Sequence, residues 1–172
     1  MPANTLNDVF RHGLGDIYDA EQQILSVLDE FETQTRNEEV RKRIRKHRDE
    51  TQQQIQNLER CFELLATEAP RVQCGVIRGL RDEKREFQKE NPSPEALEVF
   101  NLDSAMKTEH YEIASYRGLV DQAKALGNDD VRRLLEQNLE QEEDMSRWIE
   151  KHEPDILKAM QRGEGEWAAE GC

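Results

Sequence analysis

The chain is poor in the residues that build sheets and staples. Aromatic side chains make up 6% of its 172 residues, and β-branched residues are sparse, which disfavours a sheet. Three cysteines, Cys61, Cys74 and Cys172, form no C-x-x-C pair and make an odd count. That argues against a zinc knuckle, a rubredoxin-type iron site and a disulfide framework. No stretch approaches the length of a membrane span. The first residues, MPANTLNDVFRHG, lack a charged segment followed by an apolar one. A reducing cytoplasm is the expected location, with no membrane partner. Basic residues are also short: the formal net charge is −13. Binding to a nucleic-acid backbone needs clustered Lys and Arg, so nucleic acid is not an expected partner. The one basic run, RKRIRKHR at 41–48, reads as a solvated helix face, because Ile44 and His47 fall on the opposite side.

What is present is charge at helical spacing. Charged residues reach 35%, a proportion that suits long amphipathic helices in a single domain. A first helix is predicted from Asn4 or Thr5 to about Thr33, opened by Thr5 and Asp8 as an acidic capping box. A second is predicted from Asn37, followed by Glu38 and Glu39, to about Ala66. Residues 67–92 hold Pro70, Gly75 and Gly79, then the charged piece LRDEKREFQKE. This stretch is too long for a tight turn and reads as a crossover to the far end of a bundle. Ser93-Pro94-Glu95 starts a third helix, predicted to run to Leu126. Gly127 suits its end, and Asn128-Asp129-Asp130 caps a fourth. Pro154 predicts a break near His152 and a short last helix. The predicted architecture is all-α: a four-helix bundle of two hairpins joined by a long crossover, plus a short C-terminal helix. The bundle spans 1–162, and 163–172 form a tail.

A 4,3,4,3 seam, the spacing that faces a bundle core, is apolar towards both ends of each long helix. In the interior of each it carries one metal-type side chain: Glu21, His47, Glu109 and Glu142. Glu50 and Glu112 lie three residues after His47 and Glu109, on the same helix faces. Folding each hairpin about its turn places Glu21 level with His47 and Glu50, and Glu142 level with Glu112, within a few ångströms at about 1.5 Å rise per residue. Such carboxylates cannot share a dry core without cations. Two divalent metal ions would compensate most of the charge. Carboxylates with one imidazole suit iron, with manganese the alternative. Tyr116 follows on the seam one turn beyond Glu112. Tyr18 and Tyr116 are either packing residues or groups that touch the ligands. His110 is rotated about 100° from Glu109 and should lie outside the site.

At these residues the sequence resembles a known family. IYDAEQQIL, HRDETQQQIQNLER, EHYEIASY and LLEQNLEQEED are similar to the bacterial YciE/YciF-type ferritin-like proteins, over residues 5 to 150. The resemblance implies a ferritin-like four-helix bundle, often a homodimer, with a dinuclear metal centre like that of rubrerythrin. It carries over Glu21, His47, Glu50, Glu109, Glu112 and Glu142, with Glu143 as a substitute for Glu142. The match has departures. Ferritin-like sites take Glu-x-x-His from two helices. Here α-helix two reads His-x-x-Glu, and Met145 stands where helix four would carry its histidine. The functional expectation is a stress-response metalloprotein that reacts with peroxide or O2 in ferroxidase, peroxidase or catalase-like fashion. Glu50 and Glu112 would bridge its metals. An external electron donor is required, since no rubredoxin-type pair exists. The rival expectation is a structural, partner-binding stress protein whose metal only stabilises the bundle.

Overall fold

A computed structural model describes residues 4–161. These form five helices: α1 (Leu6–Gln34), α2 (Glu38–Leu64), α3 (Gly75–Lys89), α4 (Pro94–Ala125) and α5 (Asp129–Gln161). The four long helices make a ring in the order α1, α2, α5, α4, and α3 lies against α4 and α1. No described helix is long and apolar enough to cross a membrane.

The helix starts follow from local chemistry. Thr5 Oγ1 accepts from Asp8 N at 3.1 Å while the Asp8 carboxylate accepts from Thr5 N at 3.0 Å, so two orphan donors are satisfied reciprocally. Asn37 Oδ1 accepts from Glu39 N and Val40 N. Ser93 Oγ caps Ala96 N, with Pro94 at the first helical position. Gly127 ends the second hairpin's first arm with φ 72°, a left-handed conformation that glycine adopts without steric cost.

Three local expectations need correction. α2 stops at Leu64, two residues early, because Ala66 turns left-handed at φ 49°. The crossover holds a helix of 15 residues from Gly75, longer than the charged piece at 80–90. Gly75 and Gly79, which look like breakers, sit inside it. Burial decides the matter: Ile77 and Lys84 lock α3 onto the bundle, and tertiary contact overrides propensity. Lys84 reaches Glu30 at 3.2 Å and lies over the Phe31 ring. Finally, no separate last helix begins at Pro154, since α5 passes through it to Gln161. A proline inside a helix costs about 3 kcal/mol. Two residues later, buried Ile156 packs with Leu102, Met145 and Ile149, which holds the last turns in place. The predicted tail, 163–172, lies outside the described residues.

The crossover touches α1 where α1 has no side chain. A Cβ on Gly15 would meet Pro70 Cγ at 2.4 Å, so only glycine lets the loop lie this close.

The core comprises two clusters. The larger runs from Phe10 and Leu14 through Leu58, Tyr116 and Leu135 to Phe31 and Ile44. The smaller is Leu102, Met145, Ile149 and Ile156. Between the ends of the bundle the apolar seam is interrupted by buried Glu21, His47, Glu109, Glu112 and Glu142.

Candidate metal centre

Each acidic or imidazole group reaches the core from the middle of a long helix, between turns whose seam residues are also buried. Ile17 and Ile24 flank Glu21 along its helix, Ile44 and Thr51 flank His47, Ile113 and Tyr116 follow Glu112, and Asn138 and Met145 flank Glu142. The backbone therefore holds these side chains inside whatever their own solvation preference.

His47, Glu109, Glu112 and Glu142 form one group in which a ligand-type atom from each lies within 4.8 Å of the others. His47 Nε2 is 3.3 Å from Glu109 Oε1 and 3.8 Å from Glu142 Oε2. Glu21 stands beside this group. One of its oxygens accepts from the Tyr116 hydroxyl, and its charge is felt by Glu112 and Tyr116.

The electrostatics are those of too many acids in too little water. Burial raises the Glu21 carboxyl, the Tyr116 hydrogen bond and His47 work against the rise, and the result is about 7. Burial and then the neighbouring glutamates push Glu112 and Glu142 well above the usual carboxylate range. Burial opposes a charge on His47, but Glu109 and Glu142 outweigh it and hold the imidazole well above its ordinary value. One imidazolium cannot neutralise this cluster.

The cluster is also short of hydrogen bonds. Glu21 Oε2, Glu109 Oε2, both oxygens of Glu112 and Glu142 Oε2 are buried without a partner. Buried polar atoms are ordinarily paired, and each exception asks for an explanation. Oxygen donors with one imidazole are the ligand set of a hard or borderline divalent cation. The residues fit a metal.

The other sequence candidates are placed differently. Glu50 lies outside the group of four. It pairs with Arg43 at 2.8 Å and Lys46 at 2.9 Å, and stands 3.6 Å from His47 Nδ1. Partial burial would raise its pKa, but the neighbouring His47, Lys46 and Arg43 prevail and bring it to about 2. Glu143 faces outward, bound to Arg117 at 2.6 Å, so it does not take the place of Glu142. It is one position, about 100°, round the helix from Glu142. Tyr18 is likewise away from the cluster: its hydroxyl donates to Glu59 and its edge packs on Phe62. Tyr116 is the tyrosine that touches the acids. His110 is exposed.

Sequence reasoning passed over a polar ladder beside the acids. The Gln54 amide donates to Glu142 Oε1. The Asn138 amide donates to Tyr116 Oη at 3.1 Å and to the Gln54 carbonyl at 3.3 Å, while Asn57 donates to Asn138 Oδ1 at 2.7 Å. Gln54 and Asn138 lie on the seams, and a buried amide at a seam position was the available signal.

Comparison with known proteins gives the family and the fold. A family model described as "Domain of unknown function (DUF892)" matches residues 5–161. Protein YciF of Escherichia coli K12 is 34% identical over 143 residues, covering 83% of this chain and 86% of its own. The crystal structure of the E. coli stress protein YciF superimposes with a TM-score of 0.84 at 30% identity, covering 90% of this chain and 98% of that one. YcfI of Rhodopseudomonas palustris, described as a candidate structural protein, gives 0.82 at 36% identity, with 86% and 94% covered. A protein of Xanthomonas campestris pv. campestris gives 0.77 at 27% identity, with 93% and 99% covered. The fold is the all-α ferritin-like bundle, and the chain belongs to the DUF892 family, to which the stress protein YciF is related.

Proposed function

We propose that the protein is a carboxylate metalloprotein of bacterial stress response that binds two divalent ions, iron or manganese, in the buried cluster. One observation carries this reading. Carboxylate oxygens of Glu21, Glu109, Glu112 and Glu142 are buried without partners around a single imidazole. A cation supplies what they lack.

His47 Nε2, Glu109, Glu112 and Glu142 would hold the metal, with Glu21 at its edge. When bound, such ions supply redox exchange with peroxide or O2 of the ferroxidase, peroxidase or catalase-like type. The chain's own residues prepare the ligands. Glu50, kept ionised by Arg43 and Lys46, stands 3.6 Å from the unpartnered His47 Nδ1 and leaves Nε2 for the site; a carboxylate that closes onto the far nitrogen of a ligating imidazole fixes its orientation and raises its basicity. Gln54 orients Glu142, and Tyr116 holds one Glu21 oxygen. Arg43 is itself buried, which supports a place for Glu50 behind the imidazole over the bridging role its spacing suggests. The same reading includes a homodimer in the cytoplasm and an external electron donor.

The test is elemental analysis of protein purified without chelator and reloaded anaerobically with Fe(II) or Mn(II). About two metal ions per chain are expected, as in the dinuclear ferritin-like sites. Glu112→Ala and Glu142→Ala should lose them with the helices intact. A second reading, a structural stress protein, has its own support: the relative from R. palustris is described as a structural protein, and the Gln54–Asn138–Tyr116 ladder already ties the hairpins together. No metal in a well-folded wild-type protein would favour it.

A further inference from the structure

On the side of the carboxylates nearer the start of α2, the core is hollow. A partly open cavity of about 70 Å³ lies among all five helices. It separates the Phe31 and Ile44 side of the large cluster from Leu102, Met145 and Ile149 of the small one, and Ala105 and Val40 pack against both. At its inner end the lining includes His47 and Glu109. At its outer end it reaches Arg81 and Glu98, both half-buried between α3 and α4.

We propose that this cavity is a dioxygen site, which admits a small apolar gas molecule and holds it against the His47–Glu109 edge of the cluster. The delivery role rests on the metal reading above; the gas site does not. Size is the first argument. An apolar cavity of roughly 150 Å³ stays dry and takes up benzene or xenon, so about half that volume has room for a diatomic or a single xenon atom.

Chemistry is the second. Most of the wall is aliphatic and aromatic, and several of the polar groups along it are bound to other protein groups, while Asn101 Oδ1 and, at the inner end, Glu109 Oε2 are buried without a partner. Thr108 Oγ1 donates to the Ser104 carbonyl at 2.9 Å. At the rim Thr35 donates to Glu98 at 2.6 Å, the Asn101 amide to Gln34 at 3.1 Å, and Lys84 to Glu30 at 3.2 Å. Along the apolar stretch of the wall hydrogen peroxide would shed most of its water hydrogen bonds, a cost that dioxygen does not meet. The third argument is continuity: the cavity ends on the only imidazole of the cluster.

The experiment is xenon pressurisation of crystals of the full chain, followed by oxygen-electrode and peroxide assays on the metal-loaded protein. Xenon density is expected between Ile44, Leu102 and Met145. Ala105→Leu, which fills the cavity, should abolish it, with Ala105→Val as the milder variant should the first not fold. Ile44→Val, which widens the cavity, should raise occupancy. In metal-loaded protein Ala105→Leu should slow oxygen uptake and leave peroxide consumption unchanged. Wild-type crystals without xenon would overturn the gas site. Oxygen uptake untouched when xenon is lost, or peroxide consumption lost with it, would overturn the delivery role. Xenon uptake in a protein that binds no metal would refute the metal reading and the delivery role, while the gas site stands.

Discussion

On one side of the carboxylates, Phe10, Leu58, Tyr116 and Leu135 are fully buried in one continuous cluster, and the Gln54–Asn138–Tyr116 ladder crosses between the hairpins. On the other side Leu102, Met145, Ile149 and Ile156 form a cluster of their own, with a cavity between them and Ile44. The same four helices, with the same seam, therefore pack in two ways. The difference lies in what each half must do. The filled half holds Glu21 and Glu142 by hydrogen bonds, and a loose core would let those side chains swing. The hollow half is tied at its rim instead, by Thr35 to Glu98 and Asn101 to Gln34.

The largest effect should come from the acids where the two halves meet. The folded pKa of Glu21, about 7, lies above its ordinary 4.5. Between those values the folded state keeps a proton that the unfolded state has lost, so stability falls as pH rises. His47 is held well above 6.5, and its contribution is likewise lost as pH rises through that higher value. Glu50, at about 2, works in the opposite sense and loses its contribution as pH falls from 4.5. Metal-free protein should therefore be most stable near pH 5 and lose on the order of 3 kcal/mol towards pH 8 from Glu21 alone. Added Mn(II) should reverse that slope, because ligands must be deprotonated to bind. Urea unfolding at the two pH values, with and without metal, checks it.

Truncation should separate the two halves next. Leu58→Ala in the filled half is expected to cost about 4 kcal/mol, and Leu102→Ala beside the cavity about 2 kcal/mol. Equal costs would erase the distinction. Insertion should sharpen it by a change of sign. Ala123 is fully buried in the filled half, so Ala123→Leu should destabilise by roughly 1–3 kcal/mol. Ala105→Leu should stabilise by about 0.5–2 kcal/mol. Tyr116→Phe removes a donor to Glu21 and an acceptor for Asn138, and should cost about 1–2 kcal/mol. Glu143→Ala touches only surface arginines and should change stability by less than about 0.5 kcal/mol and leave metal content unchanged. All are read as shifts in urea midpoint at constant slope.

The sequence made the helix starts legible because caps are local. Thr5, Asn37 and Ser93 announce themselves within four residues. The interior acids were legible for a different reason: a carboxylate on an apolar seam breaks a period that eight or more turns establish. What stayed hidden depends on partners distant in sequence. Gly75 and Gly79 look like breakers until Ile77 is seen buried against the bundle, and Pro154 looks like a stop until Ile156 is seen anchored. Glu50 shares a face with His47, as its spacing requires, but Arg43 draws its carboxylate away from the group of four. Spacing assigns a face, and it does not assign a rotamer. The cavity was invisible for the same reason, since it arises from how side chains on five helices fail to meet.

The acids are shared unequally between the hairpins. α1 and α2 bring Glu21 and the imidazole, whereas α4 and α5 bring Glu109, Glu112 and Glu142. A nascent chain emerges with α1 and α2 first, so the hairpin that can stand with its own charges nearly balanced is made before the one that cannot. The later hairpin, with three carboxylates and no base of its own in the cluster, has a reason to wait for its template. Order of synthesis and distribution of charge then point the same way, and a circular permutant that starts at Ser93 would set them against each other.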